Sequence, residues 1–350
     1  MTPRNKRRFE SRKEDHIRLS LSPQHQATGE SGFDQLHLHH EAFPELDFSD
    51  IDLGVSFFSH AAASPMFISS MTAGHKKGEG LNLTLARAAS ARRWPMGVGS
   101  QRRELSDTTA SSEWKKIRKE SPHAILFSNI GLSQLITSPV DDVLRLVENL
   151  AAVALIVHTN PLQEVIQPEG TPEFRGGYKA LENLCKLSPV PVIVKETGCG
   201  FSPWTLEKLL RTGISALDVS GKGGTHWGRI EGSRAEAASL HHLAAQTFQN
   251  WGESTVETIL SAGALRDSLG TSLEIWGSGG VRSGLDAAKC IALGTDKVGF
   301  AHPALLAAQK GERSVLKWME QMEFELKTAL FCTGSASPEA LRKAKKWRKI

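Results

Sequence analysis

"ALIVHTNPLQEVIQPEG", residues 154–170, begins as a β-branched apolar run and passes directly into amides and carboxylates. A run that is apolar throughout, without alternation, reads as a strand buried on both faces. Two prolines, Pro161 and Pro168, then close off any regular continuation. His158, Asn160, Gln163, Glu164, Gln167 and Glu169 therefore fall at the end of a buried strand and in the loop after it. The same pattern recurs along the chain, in "PMFISSMT" (65–72), "PMGVGSQR" (95–102), "AILFSNIG" (124–131), "PVIVKETG" (191–198), "SALDVSGKGG" (215–224), "LEIWGSGG" (273–280) and "DKVGFAH" (296–302). Between these runs lie stretches of helical period such as 140–153, 202–213 and 283–294, each long enough for a crossover helix. Apolar strands alternating with helices form a parallel sheet, and eight such units match an α/β (β/α)8 TIM barrel. A doubly wound open sheet is the alternative arrangement.

A chain of 350 residues with 40% hydrophobic residues can bury a full core. The reading divides it into a basic N-terminus (1–11), a barrel domain (12–335) and a basic tail (336–350). Within the domain, 12–64 is an N-terminal extension ahead of the strands, 65–302 carries the strands, and 303–335 is a closing helix that begins a C-terminal helical tail. The four cysteines, Cys185, Cys199, Cys290 and Cys332, have no C-x-x-C spacing, which argues against a disulfide framework or a thiolate zinc site. The start is basic but lacks an apolar stretch behind it, and no window approaches a membrane span. A cytoplasmic protein is expected, with no nucleic-acid or membrane partner. The net charge of +4 is concentrated at the two ends, which read as solvated and mobile.

A barrel carries its active groups at the C-terminal ends of its strands. The run ends supply Thr72, Ser100 with Arg102, Asn129, His158 with Asn160, Lys195, Ser220, Gly279 with Gly280, and Ala301. The glycines of "GSGGVRSG" (277–284) precede a helix after the seventh strand, where barrels commonly hold a phosphate on backbone N–H groups. Lys195 ends an apolar strand, so its ammonium must meet solvent or negative charge. Contact with a flavin, a Schiff base with a phosphosugar, and a salt bridge to Glu196 or Asp218 all remain open from chemistry alone.

Taken together, "RKEDHI" (12–17), "MTAGH" (71–75), "GSQR" (99–102), "SNIG" (128–131), "NPLQEVIQPEG" (160–170), "KETGCG" (195–200), "SGKGGT" (220–225) and "GSGGVRSGLDAAKCIALG" (277–294) resemble the type 2 isopentenyl-diphosphate isomerases, in order and over about 12–335. The resemblance implies an FMN-dependent barrel enzyme, a homotetramer or homo-octamer, that interconverts isopentenyl and dimethylallyl diphosphate using Mg²⁺ and flavin reduced by NADPH. Carried over, FMN contacts fall on Ser70, Met71, Thr72, Ser100, Asn129, Lys195, Ser220 and Thr225. The flavin phosphate falls on Gly279, Gly280 and Val281, with the backbone of Phe300 and Ala301. Substrate contacts fall on Arg12, Lys13, Ser100, Gln101, Arg102, His158, Asn160 and Gln163. Glu164 is the metal ligand, and Gln163 orients the substrate or relays a proton beside reduced FMN.

A diphosphate needs several cations, and arginine and lysine in the implied set supply them. His16 reads as support for these groups, and "HLHH" (37–40) as a structural loop rather than a metal site. The chain departs from the family pattern at Ala73-Gly74-His75, Thr159 and Thr171. Residues 226–270 are long for one crossover and read as a rim cover plus helices, with Trp227 and Arg229 as lid candidates. Other FMN barrels that oxidise hydroxy acids need a tyrosine in the site, and this chain has only Tyr178. A non-catalytic phosphate-ligand barrel is the remaining alternative.

Overall fold

The computed structural model describes residues 3–71 and 76–350. Each of the eight apolar runs contains one strand: β1 (Met66–Ile68), β2 (Met96–Gly97), β3 (Leu126–Gly131), β4 (Ala154–Thr159), β5 (Val192–Glu196), β6 (Ala216–Asp218), β7 (Glu274–Gly277) and β8 (Lys297–Phe300). They pair in parallel and in sequence order, and β8 closes on β1 through Val298 opposite Met66 and Phe300 opposite Ile68. The sheet is a closed (β/α)8 barrel, so the open-sheet alternative falls. Helices Val140–Leu150, Pro203–Leu209 and Gly284–Leu293 occupy the three stretches whose helical period marked them as crossovers.

Side chains alternate across a strand, so residues two apart share a face. Phe67, Phe127, Ile156, Ile193, Ala216 and Trp276 form one buried cluster inside the barrel. Two positions later on five of these strands stand Asn129, His158, Lys195, Asp218 and Ser278. Each strand thus carries an apolar residue in the plug and a polar one above it. Register brings the polar ones abreast, because His158 pairs with Lys195 and Lys195 with Asp218.

The opposite end of the barrel is stoppered by an antiparallel hairpin, Val55–Phe57 with His60–Ala62. Its fully buried Phe57 packs 5.4 Å from Trp276, and Trp276 lies 5.0 Å from Phe67 and 5.5 Å from Phe127. The C-terminal mouth above this aromatic plug is open to a large ligand.

Both chain ends differ from the mobile segments that their charge suggested. The first helix runs Pro3–Ser20, straight through the expected boundary at residue 11. At the other end, helix Pro338–Ala344 leads to strand Trp347–Lys349, which pairs antiparallel with Leu36–Leu38. The basic tail is therefore half of a two-stranded sheet. Backbone pairing with the "LHL" segment holds it, an interaction invisible in a charge count; the same strand carries part of "HLHH", consistent with its structural reading. No described helix is long and apolar enough to cross a membrane.

Truncating a buried aromatic costs about 3–5 kcal/mol. Phe57→Ala should lower the stability of the barrel by that amount in a denaturant titration followed by tryptophan fluorescence, while a change under about 0.5 kcal/mol would deny the hairpin its stoppering role.

Candidate functional site

The strand ends and their loops enclose a cavity of about 1610 Å³, part of it open to solvent. Its floor is the polar layer above the aromatic plug. Lys195 Nζ lies 3.4 Å from Asp218 Oδ2 and donates to the Glu196 carbonyl at 3.0 Å. Ser278 Oγ ties Asp218 Oδ1 at 2.5 Å. Of the two salt-bridge partners weighed for Lys195, the side chain present is thus Asp218. Glu196 turns away and accepts backbone N–H groups of Gly198 at 2.7 Å and Cys199 at 2.5 Å, and burial pushes its carboxyl up to about 7.

Asn129 donates its amide to Val98 O at 3.0 Å, which leaves its oxygen to accept from His158 Nδ1 at 2.8 Å. Burial, together with the nearby charges of Lys13, Lys195 and Arg102, pulls His158 down to about 3. The ring is therefore neutral near pH 7.

One wall comes from helix Pro161–Ile166, whose N-cap is Asn160. Asn160 Nδ2 donates to Gln163 Oε1 and to Glu164 Oε1, both at 3.0 Å. The other Glu164 oxygen accepts from the Thr171 N–H at 2.6 Å, so the departure at Thr171 supplies a backbone contact to this carboxylate. Gln163 Nε2 donates at 2.9 Å to Glu231, a fully buried carboxylate on helix Trp227–Arg234. Both ends of the Gln163 amide are consequently assigned. Burial opposes ionisation of Glu231, but His16, 2.8 Å away, Arg234 and Gln163 outweigh it and hold the carboxyl down at about 2.

Beside this wall, the first helix delivers Arg12, Lys13, His16 and Ile17, while Arg102 arrives from the loop after β2. Burial and the repulsion of Arg12 and Arg102 lower the Lys13 ammonium to about 7. The concentrated positive charge makes this corner an anion site.

The loop after β7 supplies a different kind of anion cradle. Gly279 and Gly280 have φ of 96° and 75°, and a Cβ on either would strike the backbone of Gly221 or Gly223. Among the described residues, the N–H groups of Gly279, Gly280 and Val281 donate to no protein acceptor. Ser70 Oγ and His302 Nε2, both in residues lining the cavity, are likewise buried without a partner. Arg282 braces the cradle by donating to Gly223 O at 3.0 Å, with Gln26 and Thr28 of the N-terminal segment within reach.

Arg12, Lys13, Ser70, Met71, Ser100, Arg102, Asn129, His158, Asn160, Gln163, Glu164, Lys195, Ser220, Thr225, Gly279, Gly280, Val281 and Ala301 all line the one cavity. Thr72 and the departures at Ala73, Gly74 and His75 lie outside the described residues. Gln101 is a correction: its side chain leaves the mouth to bond Glu104 at 2.9 Å, Leu146 O at 3.1 Å and the Asn129 N–H at 3.1 Å. It buttresses the Asn129 strand from behind, because the turn into Arg102–Leu105 sends successive side chains to opposite sides. Phe300 is also outside the lining, with its ring against Trp94 and Trp318 and its carbonyl accepting from the Ser69 N–H at 2.9 Å.

Sequence reading missed Glu231, Arg234, Arg282 and His302. Glu231 and Arg234 sit in a segment with no strand signal, and only the fold brings them to Gln163. Trp227 does line the cavity and meets His16 edge-on at 5.1 Å. Arg229 instead ties Gln26 O, Gln249 O and Glu30, so it fastens the rim rather than closing it. Tyr178 lies outside the cavity lining. Among the described residues no cluster of three or more His, Cys, Asp or Glu could hold a metal, and Glu164 stands as a single carboxylate.

The family model for FMN-dependent dehydrogenases matches residues 139–348. Solved structures of a flavocytochrome b2 variant with sulfite bound (TM-score 0.70, 18% identity, 96% of this chain and 82% of that one) and of a mandelate oxidase variant (TM-score 0.62, 17% identity, 96% and 92%) share the fold. Among curated relatives, the isopentenyl-diphosphate delta-isomerase of Bdellovibrio bacteriovorus is 52% identical over 341 residues, covering 96% of this chain and 97% of that protein. That of Legionella pneumophila is 53% identical over 327 residues, covering 93% and 94%. With identity of this order over nearly the whole length, the chain belongs to the isopentenyl-diphosphate delta-isomerase family, built on the barrel of the FMN-dependent dehydrogenases.

Proposed function

We propose that the chain interconverts isopentenyl and dimethylallyl diphosphate, with FMN in the barrel mouth, NADPH as its reductant, and Mg²⁺ between Glu164 and the substrate phosphates. The observation that carries the reading is the convergence of Arg12, Lys13 and Arg102 in the cavity that also holds the glycine cradle and Lys195. Two separate anion sites in one mouth suit a phosphorylated cofactor and a diphosphate substrate.

The residues present fit FMN. The unsatisfied amides of Gly279, Gly280 and Val281 would take its phosphate, with Ala301 beside them, and the buried Ser70 hydroxyl would gain a partner. Lys195 would lie near the ring, where an ammonium balances negative charge on the reduced form. When bound and reduced, FMN supplies a proton source and an electron-rich face for a carbocation-like transition state.

The chain's own groups bind, orient and exclude water. Arg12 and Arg102 would hold phosphate oxygens in bidentate fashion and Lys13 as a point charge. Glu164 keeps lone pairs free on both oxygens after its two N–H contacts, enough for one bond to a Mg²⁺ that otherwise takes phosphate and water oxygens. Gln163, gripped by Asn160 and Glu231, presents an amide of fixed orientation to the hydrocarbon end. Neutral His158 is a poor proton donor, which suits a positioning role beside Asn129 better than general-acid catalysis. Absence of a tyrosine from the cavity lining weighs against hydroxy-acid oxidation.

Purified protein supplied with isopentenyl diphosphate, FMN, Mg²⁺ and NADPH should form dimethylallyl diphosphate, seen by proton NMR, and lose that activity in EDTA. Flavin binding without any product would favour a phosphate-ligand barrel instead, and equal turnover with FMN kept oxidised would remove the reduced flavin from the reaction.

Truncating one partner of a desolvated charge pair costs about 2–5 kcal/mol. Arg102→Ala should therefore lower kcat/KM roughly 30-fold or more, and a loss under about threefold would take Arg102 out of the diphosphate site.

The depressed Lys13 ammonium sets a pH dependence. With its pKa lowered to about 7, Lys13 is charged below that pH and neutral above it in the empty site. Inorganic pyrophosphate should consequently bind more weakly as pH rises through 7, by calorimetry. Lys13→Arg should flatten that decline, and an unchanged profile in this variant would assign the titration elsewhere.

A further inference from the structure

The glycine cradle after β7 offers backbone donors to an anion, and the chain leaving β8 passes next to it. β7 and β8 run in parallel with Gly277 opposite Val298. Continued along both strands, that register brings Gly279, Gly280 and Val281 level with Phe300, Ala301 and His302. On the other flank of β8, Phe300 stands opposite Ile68 of β1, so Ser69 and Ser70 emerge at the same corner. His302, Ser70, Arg282 and the cradle residues all line the mouth.

His302 opens helix His302–Ala308, and Pro303 behind it fixes the backbone. Its ring is partly exposed with Nε2 buried, and among the described residues neither ring nitrogen has a hydrogen-bond partner. His16 and His158, which line the same mouth, are each paired, with Glu231 and with Asn129. A buried polar atom left without a partner is costly, and a ligand that supplied one would relieve the cost. Burial and the nearby Arg282 guanidinium hold the His302 ring below the usual histidine range. It is therefore neutral near pH 7 and offers a single N–H.

Arg282 is already committed elsewhere. Its two Nη groups donate to Gly223 O, Gly280 O, Gln26 Oε1 and Thr28 Oγ1, and its charge is drawn on by Asp286 and Asp34. Asp286 in turn accepts the backbone N–H groups of Arg282 and Ser283. A phosphate monoester carries about two negative charges and three strong acceptor oxygens. That is more acceptor capacity than the N–H groups of Gly279, Gly280 and Val281 fill, and the side-chain donor beside them without a partner is His302.

We propose that His302 donates a ring N–H to the flavin's phosphate and so makes the protein select FMN over riboflavin, the same flavin without its phosphate. The inference deepens the reading of the mouth as an FMN site and rests on it.

Full-length protein loaded with FMN, and separately with riboflavin, is diluted serially, and the Kd is read from the fluorescence of released flavin. His302→Leu, which keeps bulk but no donor, should raise the Kd for FMN about tenfold or more while leaving that for riboflavin within about twofold. His302→Gln restores a donor and should bind FMN more tightly than His302→Leu; should the leucine variant not fold, His302→Ala takes its place in the comparison. A loss of FMN affinity under about threefold, or an equal loss for both flavins, overturns the proposal and leaves the FMN reading standing. An unaltered chain that holds neither flavin overturns both.

Discussion

Closure of the barrel in register sets His158, Lys195 and Asp218 abreast, directly above residues that must be apolar to fill the interior. That single constraint divides the barrel into a dry plug and a polar floor. It also explains why a lysine can end a buried strand. Desolvating one ammonium alone would be prohibitive, but the neighbouring strand presents a carboxylate at the same level and Ser278 holds that carboxylate in place. The pair makes the floor polar without leaving an isolated buried charge.

Above the floor, the chain gathers like charges. Arg12 and Lys13 are carried in by the first helix, and Arg102 by the loop after β2. Burial first, and then the neighbouring charges of Arg12 and Arg102, lower the Lys13 ammonium. The neighbouring wall is organised in the opposite sense. Glu231 collects His16, Gln163 and Arg234 into a satisfied network, which fixes the direction of the Gln163 amide. One side of the cavity is thus primed for charge and the other for orientation.

The eight strands were legible because each is a short apolar run ending in polar residues, and β-strand periodicity survives without tertiary information. The glycine cradle at Gly279 and Gly280 was legible for a related reason, since close approach of two backbones leaves no room for a side chain. Gln101, carried over from the resemblance as a substrate contact, turns its side chain toward Glu104 and Leu146 instead, a direction that a motif match does not specify. The C-terminal tail was misread because its lysines and arginines suggest solvation, whereas the pairing of Trp347 with Leu38 is made by backbone groups.

By itself, the amino-acid sequence determined the strand and helix alternation, hence the barrel and the end at which the site lies, because those follow from local hydrophobic period and from the fixed direction of parallel strands. Its motifs also carried the family. Only the tertiary structure decided which carboxylate meets Lys195, that Glu231 and Arg234 reach Gln163, and that His302 stands beside the glycine cradle. Those contacts join residues far apart in the chain, and their geometry is set by barrel closure and packing rather than by any local preference.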